Sequence, residues 1–272
     1  MKILCLANRD LASNFALNQL LPELSKSHET HLWLSAKVGG NTQRPKQLQN
    51  LKFFEQDLFN TLVHRALSST QGFLGFDGLG QFLCSEVKEV NQINSPQAVA
   101  ELKVLSPDII VSIRYGAILK NDAINIPSKC VLNLHSGILP KYKGVMATFW
   151  ALKNADSEIG TTLHLIEDGS IDTGKIIKVS TIQTNASKSY LWHVLALYEQ
   201  GVKTILEAVN TLNQGDVLEC SEQSPSDTYF TLPTQQQCEE FEACGGRFVD
   251  EQEYIEFIQT HYLPVDAPRS TT

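Results

Sequence analysis

Asn133 and His135 stand two residues apart at the end of the apolar run VLNLH, residues 131–135, and Asp172 follows in the segment Ile-Asp-Thr-Gly, residues 171–174. An amide donor, an imidazole and a carboxylate supply the polar chemistry that acyl transfer needs. The first two stabilise an oxyanion, and the third orients the ring or takes a proton. The stretch SKCVLNLH reads as a strand, on which alternate side chains share a face. Asn133 and His135 therefore point one way and Leu134 the other. Ser136, Gly137, Pro140 and Gly144 then break the strand into a loop. Polar groups at the exit of a parallel strand are where an open α/β sheet places its ligand site.

The segments around these residues are specific. NLHSGILPKYKG, the Trp150-Ala-Leu that follows, GTTLHLIEDGSIDTG and the hydrophobic KII after it resemble the folate-dependent formyltransferases. That family includes the methionyl-tRNA, glycinamide ribonucleotide and sugar N-formyltransferases. Its pattern runs N-x-H-x-S-x-L-P-x-[YFW]-[KR]-G, with a D-x-G further on. Here Gly137 occupies the position of the pattern's Ser, and Ser136 comes one residue earlier. The resemblance covers residues 105–185 well, the first 100 loosely, and the part beyond residue 215 only faintly.

The resemblance implies 10-formyltetrahydrofolate as co-substrate and no metal. It assigns catalysis to Asn133, His135 and Asp172. It places the folate against Tyr115, Gly116, Ala117, Ile118, Leu119 and Asn133, the loop residues Gly137, Ile138, Leu139 and Pro140, and Asp168 in the loop before Asp172. Ile118 and Leu119 are equally read as core. For the acceptor, Asn8, Ser13 and Asn14 follow the first strand, where glycinamide ribonucleotide formyltransferases hold a phosphate in a Gly-Ser-Asn turn. Ala12 replaces that Gly, and an N-cap explains Ser13 and Asn14 as well. Tyr142, Lys143 and Trp150 are the other acceptor candidates. His164 reads as core or as support for the site.

With 272 residues, 42% hydrophobic and 19% charged, the composition is that of an ordinary globular protein, one large domain plus a small appendage. MKILCLAN reads as a first strand rather than a signal peptide, which makes a cytoplasmic location the expectation. Six cysteines show no CxxC spacing, so reduced thiols are expected, not zinc or disulfides.

Strand and helix signals alternate along the chain. KILCLA, HLWLSA, DIIVSIRYG and VLNLH read as strands. SNFALNQLLPEL reads as a helix opened by Ser13 or Asn14, with Pro22 as a kink or early stop. PKQLQNLKFFEQDLFNTLVHRAL, residues 45–67, has helical periodicity, and SPQAVAELKVL is a further helix. The glycine-rich GFLGFDGLGQF, residues 72–82, reads as a loop or flap. After Asp172, KIIKVSTIQ is a strand and SKSYLWHVLALYEQGVKTILEAVNTL a long helix. The βαβ rhythm predicts an α/β, Rossmann-like, mainly parallel sheet with helices on both faces. The expected catalytic domain spans residues 1–212, and a small acidic extension spans 213–272, with two short helices.

From residue 201 on, three Lys or Arg stand against thirteen Asp or Glu. A tRNA partner needs phosphate-neutralising cations, and the tail is shorter than the β-barrel of the methionyl-tRNA enzymes. The sequence therefore points to formyl transfer onto a small primary amine, foremost a nucleotide-linked amino sugar. No nucleic acid or membrane partner is expected, and a homodimer is compatible with the reading. A methionyl-tRNA formyltransferase-like activity, a 10-formyltetrahydrofolate hydrolase and an idle folate-binding scaffold are the alternatives.

Overall fold

The computed structural model describes residues 1–36, 44–66, 72–226 and 228–263. In chain order the elements are β1 (Lys2–Asn8), α1 (Leu11–Leu24), β2 (Glu29–Ser35), α2 (Lys46–Lys52), a π-helical stretch (Phe53–Leu58), α3 (Phe59–Ala66), a 3-10 turn (Gly78–Phe82), β3 (Lys88–Glu89) and α4 (Pro96–Leu105). There follow β4 (Ile109–Ile113), α5 (Asn121–Ile124), β5 (Cys130–His135), α6 (Ala147–Lys153), β6 (Glu158–Leu165), β7 (Ile176–Gln183), α7 (Tyr190–Gln214), α8 (Gln235–Ala243) and α9 (Glu251–His261). Leu67, the expected end of the second helix, and residues 264–272 of the expected extension lie outside the described residues.

The described strands form one seven-stranded sheet in the order β3-β2-β1-β4-β5-β6-β7. The first five run parallel, and β6 and β7 are antiparallel to their neighbours. Alternation along the central strands explains the two-sided cover. Ile3, Cys5 and Ala7 of β1 enter one core with α1, α7, α8 and α9, while Leu4 and Leu6 enter the other with α4 and α5. A strand buried on both faces has no polar side to spare, hence its nearly continuous apolar sequence.

Several local readings resolve into geometry. Asp10, not Ser13 or Asn14, caps α1, its carboxylate accepting the Ser13 N–H at 2.8 Å. Pro22 falls inside α1, two residues from its end. The helical span after residue 45 is interrupted by the π-helical stretch, which turns Glu55 into the interior. Residues 78–82 of the glycine-rich segment form the 3-10 turn. Gly201 in α7 lets that helix close on β5, since a Cβ there would meet Leu134 Cδ2 at 2.8 Å.

The C-terminal part folds onto the same core as the sheet. Cys238, Phe241, Phe248, Tyr254, Ile258 and Tyr262 are all buried in the cluster that α1 and α7 share. Thr234 and Gln237 make a reciprocal capping box at the start of α8. All six cysteines are free thiols. Among the described residues, no helix is long and apolar enough to cross a membrane.

Candidate active site

The C-terminal ends of β1, β4 and β5 open onto a cavity of about 470 Å³. Asn133, His135 and Asp172 all line it. Asn133 lies directly opposite His164 in the antiparallel β5–β6 register, and His135 lies opposite Thr162. Facing residues on such a pair sit about 4.5–5.5 Å apart at Cβ, so β6 delivers His164 to Asn133.

Asn133 Nδ2 is 3.0 Å from His164 Nε2. His164 Nδ1 donates to the Leu165 carbonyl at 2.8 Å, which fixes a proton on that nitrogen. With the ring neutral, Nε2 accepts from the Asn133 amide and leaves its second N–H for the cavity. With the ring charged, Nε2–H turns to Asp172 Oδ1, 3.5 Å away, and Asn133 must offer its oxygen instead. The orientation of the Asn133 amide is therefore tied to the His164 proton.

His135 Nε2 donates to the Tyr142 carbonyl at 2.7 Å, and Nδ1 faces Asp172 Oδ2 at 3.5 Å. That second contact is an ion-pair distance too long for a fully formed hydrogen bond, so Nδ1 remains able to serve a ligand atom. Asp172 Oδ2 also accepts the Gly144 N–H at 2.8 Å. Burial pushes the Asp172 carboxyl up, but the charge on His135, the His164 contact and the Gly144 N–H outweigh it and hold it at about 2. Gly144 has φ +99, and a Cβ there would strike the Phe230 carbonyl at 2.2 Å, so only glycine fits this crossing.

Arg114, Met146 and Asp172 line the cavity in the left-handed region, at φ 56, 56 and 54. Such conformations cost of order 1–3 kcal/mol each and collect at functional sites. Their grouping here makes the cavity the candidate site.

Of the folate candidates, Tyr115, Gly116, Ala117, Ile118, Leu119 and Asp168 line the cavity. The Tyr115 hydroxyl bonds to the Val90 carbonyl. Gly137, Ile138, Leu139 and Pro140 are not among the cavity walls. That loop turns onto β6, where Thr162 Oγ1 donates to the Gly137 carbonyl at 2.7 Å and accepts the Leu139 N–H at 3.1 Å. The Leu139–Pro140 peptide is cis.

Of the acceptor candidates only Asn8 lines the cavity. Ser13 and Asn14 are wholly buried, and Asn14 Oδ1 accepts the Tyr262 hydroxyl at 2.8 Å and Asn18 at 2.9 Å. The Asp10 carboxylate occupies the start of α1, where it accepts the Ser13 N–H and disfavours a second anion. Tyr142, Lys143 and Trp150 are buried and off the cavity as well. Tyr142 donates to Asp156 at 2.8 Å, Lys143 to the Ser226 carbonyl at 3.1 Å, and Trp150 to the Val145 and Thr231 carbonyls, each at 3.2 Å. These three brace the loop.

The structure adds residues that pattern reasoning passed over. Arg114 bridges Asp10 Oδ2 (3.1 Å) and Glu55 Oε1 (3.0 Å) on the cavity wall. An Arg at the exit of the apolar strand IIVSI was the available signal. Burial pushes Glu55 up, Arg114 opposes this, Asp10 adds to it, and the carboxyl settles at about 7. Because the folded value exceeds the unfolded one, the folded state binds more protons between about pH 4.5 and 7. Stability therefore falls as pH rises through that window, by up to about 1.4 kcal/mol per pH unit. Thermal melting at pH 5 and pH 8 is expected to show this loss in the parent and a flatter profile in Glu55→Gln. Identical slopes in the two proteins would contradict it.

Among the described residues, no group of three His, Cys, Asp or Glu side chains is placed to hold a metal ion.

Residues 70–209 match the formyl transferase family. The methionyl-tRNA formyltransferase of Clostridium novyi (strain NT) is 28% identical over 139 residues, which cover 50% of this chain and 44% of that protein. The chain thus spans under half the length of this curated relative. Among solved structures, a 4-N formyltransferase from Francisella tularensis superposes with a TM-score of 0.57 at 13% identity, covering 92% of this chain and 93% of that one. An N-formyltransferase from Helicobacter canadensis, solved with folinic acid and dTDP-3-aminofucose, gives 0.53 at 19% identity, covering 85% and 71%. At these identities the structures show a shared fold. With half the chain matched to the family, and Asn133, His135 and Asp172 inside that matched part, this chain belongs to the formyl transferase family.

Proposed function

We propose that this protein transfers a formyl group from 10-formyltetrahydrofolate to the primary amine of a small molecule, foremost a nucleotide-linked amino sugar. The observation that carries this reading is the convergence of Asn133, His135 and Asp172 on one cavity wall, with His164 bonded to Asn133.

The cavity fits the folate. Ala117, Ile118, Leu119 and Ile166 give an apolar wall, with Tyr115, Gly116, Asp168, Ser170 and Ile171 beside it. About 470 Å³ is within the range of small-molecule sites. The folate supplies the formyl group and a nitrogen leaving group. In this reading Asn133 Nδ2 and His135 Nδ1 donate to the formyl oxygen as it gains charge. The acceptor attacks as the free amine. Asp172, ionised and fixed by Gly144, holds His135 and takes the proton that the amine nitrogen sheds after attack, directly or through a water. The folate nitrogen gains a proton as its bond to the formyl carbon breaks. No covalent enzyme intermediate is required.

For the acceptor, the Helicobacter canadensis neighbour with dTDP-3-aminofucose supports an amino sugar, while the methionyl-tRNA relatives support tRNA. The acidic balance after residue 201, three cations against thirteen carboxylates, favours the small molecule, because a phosphate backbone demands the opposite sign.

Titration with 5-formyltetrahydrofolate tests the folate half of the reading. Saturable binding and a ligand-dependent rise in melting temperature are expected in the parent. Ala117→Trp, which fills the apolar wall, is expected to weaken binding more than about tenfold, the equivalent of 1.4 kcal/mol. Absence of folate binding by the parent would overturn the assignment. Salt-dependent binding of initiator tRNA with no response to amino-sugar nucleotides would transfer the reading to tRNA.

A further inference from the structure

Beyond residue 209, where the family match ends, residues 221–226 and 228–232 lie against the catalytic loops as a strap. Ser221 exchanges backbone hydrogen bonds with Ile176, both at 2.8 Å, at the root of β7. Phe230 bonds to the Lys143 carbonyl at 2.9 Å and accepts the Val145 N–H at 2.8 Å. The strap is therefore anchored on both sides of Asp172, and Tyr229 and Leu232 reach the cavity wall.

Between these anchors, Gln223 Nε2 donates to the Asp172 carbonyl at 2.9 Å and to the Gly174 carbonyl at 2.7 Å. The first carbonyl is that of Asp172 itself, which holds φ 54, and the second lies two residues on. Such a conformation persists only when its surroundings over-determine it. Gln223 Oε1 is buried without a partner. The side chain therefore acts through its donor end. Both bonds go to backbone, so they fix where the Asp172 carboxylate points.

We propose that Gln223 is a positioning residue for formyl transfer, its amide locking the Asp172 turn so that the carboxylate meets His135 and the Gly144 N–H. This inference rests on the role given to Asp172 above. It makes the strap a working part of the site.

Four proteins test it: the parent, Gln223→Leu, which removes both donors, Gln223→Lys, which keeps a donor at similar reach, and Asp172→Asn as reference. Turnover, KM for the folate, melting temperature and the pH dependence of kcat are measured on each. Gln223→Leu is expected to lose about 10- to 100-fold in kcat, the scale of a misplacement near 1 Å, with KM little changed. The titratable groups facing Asp172 are His135 from β5 and His164 from β6. A released carboxylate drifts from them and from Gly144, so the acid limb of kcat moves to higher pH. Gln223→Lys is expected to recover most of the loss.

A Gln223→Leu protein with parental kcat and pH profile, beside an Asp172→Asn protein that has collapsed, would overturn the inference alone. Parental turnover in Asp172→Asn would overturn the functional reading beneath it. Should Gln223→Leu fail to fold, Gln223→Glu serves in its place, since it keeps the shape but turns carboxylate oxygens toward the two carbonyls. A loss above tenfold in Gln223→Glu, with Gln223→Lys near parental at equal melting temperature, supports the proposal. Parental turnover in both overturns it.

Discussion

Replacing Asn133 with alanine is expected to lower kcat for formyl transfer about 100- to 1,000-fold, the usual cost of deleting one preorganised oxyanion donor. The effect arises because Asn133 Nδ2 is already oriented before any ligand arrives. With its ring neutral, His164 holds the amide through Nε2 at 3.0 Å, and the cross-strand register holds His164. Such a donor needs no reorganisation as charge develops. Folate affinity is expected to change little, since the apolar wall at residues 117–119 lies elsewhere in the cavity. The melting temperature is expected to hold because Asn133 is only half-buried and its neighbours on β5 remain packed. Steady-state kinetics and a melting curve check both parts. A kcat within tenfold of the parent would remove Asn133 from the chemistry.

The second large effect is on stability. Phe149→Ala is expected to cost about 3–5 kcal/mol, the range for a buried aromatic cut to alanine. Phe149 is wholly buried on α6. Its ring centroid is 5.1 Å from Trp150, 5.2 Å from Phe241 on α8 and 5.5 Å from Phe248. The side chain therefore joins the loop that carries Gly144 and Met146 to the C-terminal part. Its loss empties the junction between the two. At about 2–4 °C per kcal/mol for a chain of this size, a fall in melting temperature near 10 °C is expected. Proteolytic cleavage of α8 and α9 is expected to accelerate in parallel. A fall of less than 2 °C would show that the C-terminal helices are held by other contacts.

The fold class was legible because the strands announce themselves locally. KILCLA and VLNLH are apolar runs of strand length with breakers after them, and the βαβ rhythm implies a parallel sheet. The antiparallel β6 and β7 were legible as strands but not in direction, since pairing partners are set by tertiary packing.

Within the site, Asn133 and His135 could be placed on one face because the period of a strand is local. Asp172 was identified by its place in the motif, and its left-handed turn depends on Gln223, 51 positions further on. His164 was readable as support and no more, because its partnership with Asn133 exists only through the register of β5 on β6. The Arg114–Asp10–Glu55 cluster spans 104 and 59 positions, beyond the reach of any periodicity. The phosphate expectation at Ser13 and Asn14 turns on a short-range point. Asp10 precedes the helix at the correct place for a cap, and its carboxylate accepts the Ser13 N–H. Gly137 to Pro140 were expected to bind the folate; Thr162 on β6 partners the Gly137 carbonyl and the Leu139 N–H, a cross-strand contact that no local pattern reveals.

The most direct test is to supply 10-formyltetrahydrofolate and follow tetrahydrofolate release with and without a panel of amino-sugar nucleotides, with product masses recorded. The account predicts release only when a particular amine is present, matched mole for mole by an N-formyl product and lost in Asn133→Ala. Release without any amine, matched by formate, would contradict it and leave a hydrolase.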